Sequence, residues 1–274
     1  MKKKILKISA FCIALILIGF VLSFANSLVG NPISAALARN TAKTVIKTEY
    51  PDTDYRLERV SFNFKDGNYY AYVTSESNMD GDFTLHINML GQLMYDDHDY
   101  RVDGKSNVSR RLDMEYREAV ERVLRSSTYP YYTELNYGEL EFSRNPEYFP
   151  LPENAVKLED LENNKLYNVS DMGKTNGKIV LYVEVDDVSF EKAAEVLLKT
   201  RELLEKSGVY FYSIDFVLEY PPFNEDTYER PDENVRVEDF LCSDIYEEGL
   251  AERIEKADAE VKARYAEADA EKAW

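Results

Sequence analysis

The chain has 274 residues and a formal net charge of -18, from 51 Asp plus Glu against 33 Lys plus Arg. An acid excess on that scale argues against a nucleic-acid partner, whose phosphates need Lys and Arg to displace their counterions, while 45% hydrophobic and 31% charged residues are globular values rather than disordered ones. Two cysteines, Cys12 and Cys242, cannot build a disulfide framework, and at roughly 150 residues per domain the length points to about two domains.

Lys2, Lys3, Lys4 and Lys7 open the chain, and Ile8 to Ala25 follows without a charge. At about 1.5 Å per residue that run is close to the hydrocarbon thickness of a bilayer. Snorkelling of Lys7 extends the membrane segment over residues 5–25. The lysines precede the run and none follows it closely, so the positive-inside rule keeps the amino terminus in the cytoplasm and places everything from about Asn26 outside. A cleaved signal peptide is the competing reading, because Ser23-Phe24-Ala25 fits a small-x-small cleavage pattern. The length of the apolar run favours a retained anchor, and either reading exports the same domains. Residues 1–30 are accordingly the cytoplasmic tip and anchor.

Asn31-Pro32 is a helix start, with Asn as N-cap and Pro at the first helical position. Ile33, Leu37, Thr41, Val45 and Thr48 share one helical face until Pro51. The period then falls to two. Val60, Phe62 and Phe64 alternate with polar residues, Asp66-Gly67 offers hairpin turn chemistry, Tyr69, Ala71 and Val73 alternate again, and Phe83, Leu85, Ile87 and Met89 form a third run before Gly91-Gln92 turns into Leu93 and Tyr95. This is an antiparallel meander with one buried face. A helix from about Ser106 to Arg125 carries the stripe Val108, Leu112, Tyr116, Ala119 and Val123. Residues 31–126 are read as one α+β unit in which that helix packs on the meander.

Residues 127–165 read as an irregular connection, punctuated by Tyr129-Pro130-Tyr131-Tyr132, Asn145-Pro146 and Pro150-Leu151-Pro152, with one short strand near Leu140 to Phe142. Residues 166–274 form the second unit. Ile179 to Val185 is a strand, Ser189 caps a helix over Phe190 to Lys206, Gly208 stops it, and Val209 to Tyr220 is a second strand. An acidic loop to about Asp239 leads to a last helix from about Asp244, with Leu250, Ile254, Ala257, Val261 and Tyr265 in its stripe. The fold class is therefore α+β: a transmembrane helix, a helix, four-stranded meander and helix unit, then a strand-helix-strand unit with a long C-terminal helix.

With its Lys run and apolar anchor, Asn31-Pro32-Ile33-Ser34, Glu49-Tyr50-Pro51-Asp52-Thr53-Asp54-Tyr55, Ser61-Phe62-Asn63-Phe64-Lys65-Asp66-Gly67, Asp80-Gly81-Asp82-Phe83, Ile214-Asp215-Phe216-Val217-Leu218-Glu219-Tyr220 and Ser243-Asp244-Ile245-Tyr246-Glu247-Glu248-Gly249-Leu250, the chain resembles the YfjL-like proteins of Gram-positive bacteria over nearly its whole length. The resemblance implies a membrane-anchored envelope protein and brings no catalytic residue with it. The first unit is also similar in outline to cystatin-like and PepSY-like modules, a likeness of shape that licenses no function.

Candidate chemistry is sparse. His86 falls on the polar phase of its strand, which suits a solvated or cross-strand role. His98 lies in the acidic turn Asp96-Asp97-His98-Asp99, where carboxylates would favour its charged form. Convergent transition-metal ligands are too few with Cys242 alone downstream, and Asp99-x-Arg101-x-Asp103-Gly104 fails as a calcium loop because Arg101 holds a ligand position and Arg110 stands where the bidentate Glu belongs. No nucleophile motif or phosphate-cradling loop stands out, and Asn107-Val108-Ser109 and Asn168-Val169-Ser170 are chance matches to a glycosylation pattern. No cofactor is expected. The 21 tyrosines are the remaining peculiarity, and Tyr129, Pro130, Tyr131 and Tyr132 are the expected partner surface, since Tyr gives an interface area with a polar handle. The expected function is that of a single-pass envelope protein whose exported part binds another membrane or envelope protein. A surface hydrolase or transferase using a carboxylate pair is the alternative.

Overall fold

The computed structural model describes residues 2–142, 151–223 and 229–272, and it divides into two compact units, Met1–Val108 with Glu162–Asn164, and Ser109–Leu161 with Lys165–Trp274. The expected breaks at Asn145-Pro146 and Pro150 lie outside the described residues.

In the first unit, helix α1 (Lys2–Val29) ends at Gly30 and is followed by α2 (Pro32–Glu49). Asn31 caps α2, its Oδ1 accepting from Ser34 N at 2.8 Å. The face α2 buries is Ser34, Ala38 and Ala42, one position round from the expected face; Ile33 and Leu37 are 74% and 42% exposed. Small side chains let the helix backbone approach the sheet closely, which outweighs the burial of the larger residues. The meander forms as expected, with β1 (Arg56–Asn63), β2 (Asn68–Thr74), β3 (Phe83–Ile87) and β4 (Leu93–Asp96) in that order, all antiparallel. Tyr69, Ala71, Val73, Phe83, Leu85 and Ile87 form its core against Ala38 and Ala42. The β1–β2 connection spans Phe64 to Gly67 rather than a tight Asp66-Gly67 turn, and this ejects Phe64 from the strand to 61% exposure.

At the far end of the unit, the Asp54 carboxylate accepts from Ser75 Oγ at 2.6 Å, Glu76 N at 3.0 Å and Ser77 N at 2.7 Å. These bonds favour the charged form and hold the carboxyl at about 2, below its usual 3.8. A carboxylate depressed on folding contributes stability above its unfolded value and loses it as pH falls through its folded value. Asp54→Asn is therefore expected to be less stable than wild type at neutral pH, with the gap between their denaturation midpoints closing between pH 3.8 and about 2.

Helix α3 (Ser106–Leu124), expected to close the first unit, falls from Ser109 onward within the second compact unit. Tyr116 has no exposed surface. Its hydroxyl donates to Tyr210 O at 2.7 Å, and its ring fills a socket of Gly138, Gly173 and Gly177, where an added Cβ would lie 2.5 to 2.8 Å from the Tyr116 side chain. The second unit's sheet has the order β5 (Tyr132–Leu140), β6 (Gly177–Glu184), β7 (Ser213–Glu219), β8 (Asn234–Leu241), with α4 (Val169–Asn176) leading into β6. The β6–β7 pair is parallel and joined through α5 (Phe190–Lys206), as the strand-helix-strand expectation requires, while β5 and β8 add antiparallel edges that the sequence reading placed in the connection and the acidic loop. Ser189 caps α5, accepting from Lys192 N at 3.2 Å. The last helix, α6 (Leu250–Lys272), starts after Gly249 and buries Leu250, Ile254 and Val261, with Asp258 in the same stripe accepting from Arg236 N at 2.8 Å.

Candidate binding groove

The segment expected as an exposed partner surface is split by the fold. Pro130 biases Tyr129 toward extended backbone, which delivers the chain into β5. Tyr129 is buried at 7% exposure, its hydroxyl 2.8 Å from Thr200 Oγ1, which donates onward to Val196 O at 2.8 Å. Tyr129 is thus a core residue, a correction to its place in the expected surface. Tyr132, the first residue of β5, is 68% exposed. Between them Tyr131 is half-buried, edge-on to Tyr129 with ring centroids 5.7 Å apart, and donates its hydroxyl to Glu195 Oε1 at 3.0 Å.

Pro130 and Tyr131 line one wall of a groove of about 750 Å³. Leu198 and Arg201 of α5 and Ile245 and Tyr246 line it as well. Two arginines hold the Ile245–Tyr246 segment. Arg201 donates from Nη1 to Cys242 O at 3.1 Å and Ile245 O at 2.6 Å, and from Nε to Glu205 at 2.8 Å. Arg253 lies 3.6 Å from the Tyr246 ring centroid and donates to the carbonyls of Asp244, Tyr246 and Glu248.

The groove's lining holds more glutamates than bases. Glu195, Glu202, Glu205 and Glu247 face Lys199 and Arg201, both of which are already paired to α5 glutamates. Bonds from Lys192 and Tyr131 lower Glu195, and bonds from Lys199 and Lys206 bring Glu202 to about 2, so these carboxylates are ionised at neutral pH. Burial, then Glu195, pushes Tyr131 up to about 12 and keeps its hydroxyl a donor. Neither carboxyl is raised toward the range a general acid uses.

Among the described residues, two clusters elsewhere gather possible metal ligands within 4.8 Å of one another: His98, Asp99 and Asp103 in the first unit, and Glu134, Glu184 and Glu219 in the second. In the first, His98 Nε2 faces Tyr55 Oη at 3.1 Å and Nδ1 faces Asp103 at 3.4 Å, with the ring packed among Tyr50, Tyr55 and Phe83. Asp99–Asp103 forms a π-helical turn, a geometry unlike a calcium loop. In the second, the Arg230 guanidinium already supplies the cation, 3.0 Å from Glu134 and 3.6 Å from Glu184 and in an ion pair with Glu219. His86 takes the cross-strand role expected of it, stacked on Tyr95 at 4.2 Å and opposite Tyr70 in the register. Burial pushes the Cys242 thiol up to about 11, a setting that suppresses the nucleophilic thiolate.

Sequence reasoning therefore found one wall of the groove and missed Leu198, Arg201 and Tyr246. Leu198 sits off the main stripe of α5, an apolar residue on a polar flank, and that mismatch was the available signal.

A solved DUF5037 family protein from Ruminococcus gnavus ATCC 29149 is 14% identical, with 67% of this chain and 74% of that chain covered, at a TM-score of 0.20, a likeness too slight to carry an argument. No curated protein matches the chain. Two family models do: the YfjL-like N-terminal domain over residues 2–97 and the YfjL-like C-terminal domain over residues 115–255. The two models leave residues 98–114 between them, the stretch in which the structure also passes from one unit to the other, at Val108 and Ser109, and the chain belongs to the YfjL-like family.

Proposed function

We propose that this is a single-pass envelope protein, held by α1 with its lysines inside, whose second unit binds a cationic segment of another membrane or envelope protein in the groove between Tyr131 and Tyr246. The groove carries the proposal: its lining pairs the Tyr131 and Tyr246 rings and Leu198 with four glutamates against the two bases Lys199 and Arg201. Aromatic side chains at an interface supply affinity, and charged groups at its rim select the partner's charge and steer encounter. The hydrolase alternative would need a carboxylate pair with separated pKa values in a cleft, whereas Glu195 and Glu202 of the groove are both shifted downward.

A photocrosslinking residue at Leu198 or Tyr246, introduced into the full chain in its host, is expected to capture a partner whose recovery drops at least several-fold on Tyr131→Ala. Equal capture from position 187, away from the groove, would contradict the assignment. Topology is tested separately. Because the Cys242 thiol is half-buried and held at about 11, it reacts slowly at neutral pH. An Asp187→Cys chain lacking Cys242 is the better reporter: it is expected to be labelled in intact cells by an impermeant maleimide. Labelling only after the cells are opened would reverse the orientation.

A further inference from the structure

We propose that the anchor-proximal end of the first unit's sheet is a membrane-interfacial surface, with Phe64, Leu90, Ile33 and Leu37 resting at headgroup and upper acyl depth in the bilayer that α1 crosses. The proposal rests on the anchored reading of α1.

Three observations converge on it. The uncharged stretch does not stop where the anchor does: from Ile8 to Ala38 there is no Asp, Glu, Lys or Arg, and the next charge is Arg39. Within α1, the Ser27 hydroxyl donates to Phe24 O at 2.7 Å, so it is satisfied without water. Leu28 and Val29 remain 48% and 75% exposed, apolar to the last residue of the helix.

The exit from the anchor is clamped to the sheet. Gly30 has φ +71°, and a Cβ there would lie 2.5 Å from Tyr69 Oη and 2.8 Å from Phe62. Asn31 N donates to Tyr69 Oη at 2.8 Å and Tyr69 Oη donates to Asn31 O at 3.0 Å. The chain therefore leaves α1 against one defined end of β1 and β2. Register pairs Phe62 with Tyr69 and Tyr69 with Ile87, so the connections Phe64–Gly67 and Asn88–Gln92 both emerge at that same end.

What those connections present is apolar. Phe64 is 61% exposed and Leu90 75%. Beside them lies the first part of α2, with Ile33 and Leu37 outward and Thr41 Oγ1 donating to Gly91 O at 2.6 Å. Large apolar groups gathered at one end of a small unit mark a contact surface. Covalent continuity with α1 through one clamped glycine makes the bilayer the occupant, because no other partner is held there by the chain itself. Polar groups fit headgroup depth: the Asp66 carboxylate is occupied by Tyr70 Oη at 2.6 Å and Asn68 N at 3.0 Å, while Lys65 is exposed for lipid phosphates.

The test uses the full chain with Cys12 and Cys242 replaced by Ser, reconstituted in phosphatidylcholine and phosphatidylglycerol vesicles. Single cysteines carry an environment-sensitive fluorophore at Phe64→Cys, Leu90→Cys, Leu17→Cys within α1, or Asp52→Cys beyond the far end of α2. All four positions are exposed, so core packing is kept. Labels at 64 and 90 are expected to be quenched by brominated lipid and shielded several-fold from aqueous iodide relative to 52. Iodide access at 64 and 90 equal to that at 52, with bromolipid quenching at 17, overturns the surface and leaves the anchor standing. Shielding at 64 and 90 without bromolipid quenching points to a protein or a second copy and also overturns it. Loss of bromolipid quenching at 17 overturns both readings.

Discussion

Gly173→Ala is expected to cost the second unit about 3 kcal/mol or more, against about 1 kcal/mol for Gly208→Ala. The contrast is geometric. A Cβ at 173 would lie 2.0 Å from Tyr210 O and 2.8 Å from Tyr116 Cε2, so backbone on the one side and a fully buried ring on the other must both move. Position 208 has nothing within 4 Å, and its φ of +72° is the only penalty. Tyr116→Ala attacks the same socket from the other side and is expected to cost about 3 to 5 kcal/mol, the usual range for emptying a buried aromatic site. Tyr116→Phe removes only the hydrogen bond to Tyr210 O and should cost about 1 to 3 kcal/mol, since the partly buried carbonyl loses this donor. Thermal unfolding of the detergent-solubilised chain by circular dichroism ranks the four. If Gly173→Ala melts with Gly208→Ala, the socket is not rigid, and the assignment of α3 to the second unit loses its main support.

That assignment shows where the sequence was legible and where it was not. The meander could be read because its inward residues, Tyr69, Ala71, Val73, Phe83, Leu85 and Ile87, alternate cleanly against one core face. The allegiance of α3 could not, because a stripe of Val108, Leu112 and Tyr116 suits any apolar sheet and the discriminating partners are glycines that carry no hydrophobic signal. Strand β5 was hidden for the same reason: the residues it turns inward are Asn136, Gly138 and Leu140, two of which read as loop. In α2, preferring the larger residues led to the wrong face, since close packing chose Ala38 and Ala42. Tyr129 and Tyr131 flank Pro130 in the same segment, and nothing local distinguishes the one that enters the core from the one that lines the groove. Only the hydroxyl partners, Thr200 for one and Glu195 for the other, separate them.

Arg230→Met is the substitution expected to change pH behaviour most. Arg230 enters a cluster of Glu134, Glu184 and Glu219, which lie at one end of β5, β6 and β7, and it is 16% exposed with Glu184 and Glu219 at 11% and 13%. Removing one partner of a buried ion cluster typically costs about 3 to 5 kcal/mol, because the remaining charge is left without compensation. Already in the wild type, Glu219 is pushed above its ordinary value of 4.5, first by burial and further by Glu134, with Arg230 pulling the other way. Without the guanidinium that opposing pull is gone and the shift grows. A carboxyl whose folded value is raised binds a proton more readily folded than unfolded, so stability falls as pH rises through the window from 4.5 to the raised value and recovers as pH drops through it. The Arg230→Met chain is therefore expected to unfold more easily than wild type at neutral pH and to regain much of the difference as the pH drops toward 4.5. Parallel melting curves across that range provide the measurement. A pH-independent loss would mean that Arg230 acts through packing of its stem alone, and an unchanged melting temperature would mean that the three glutamates find their compensation in solvent.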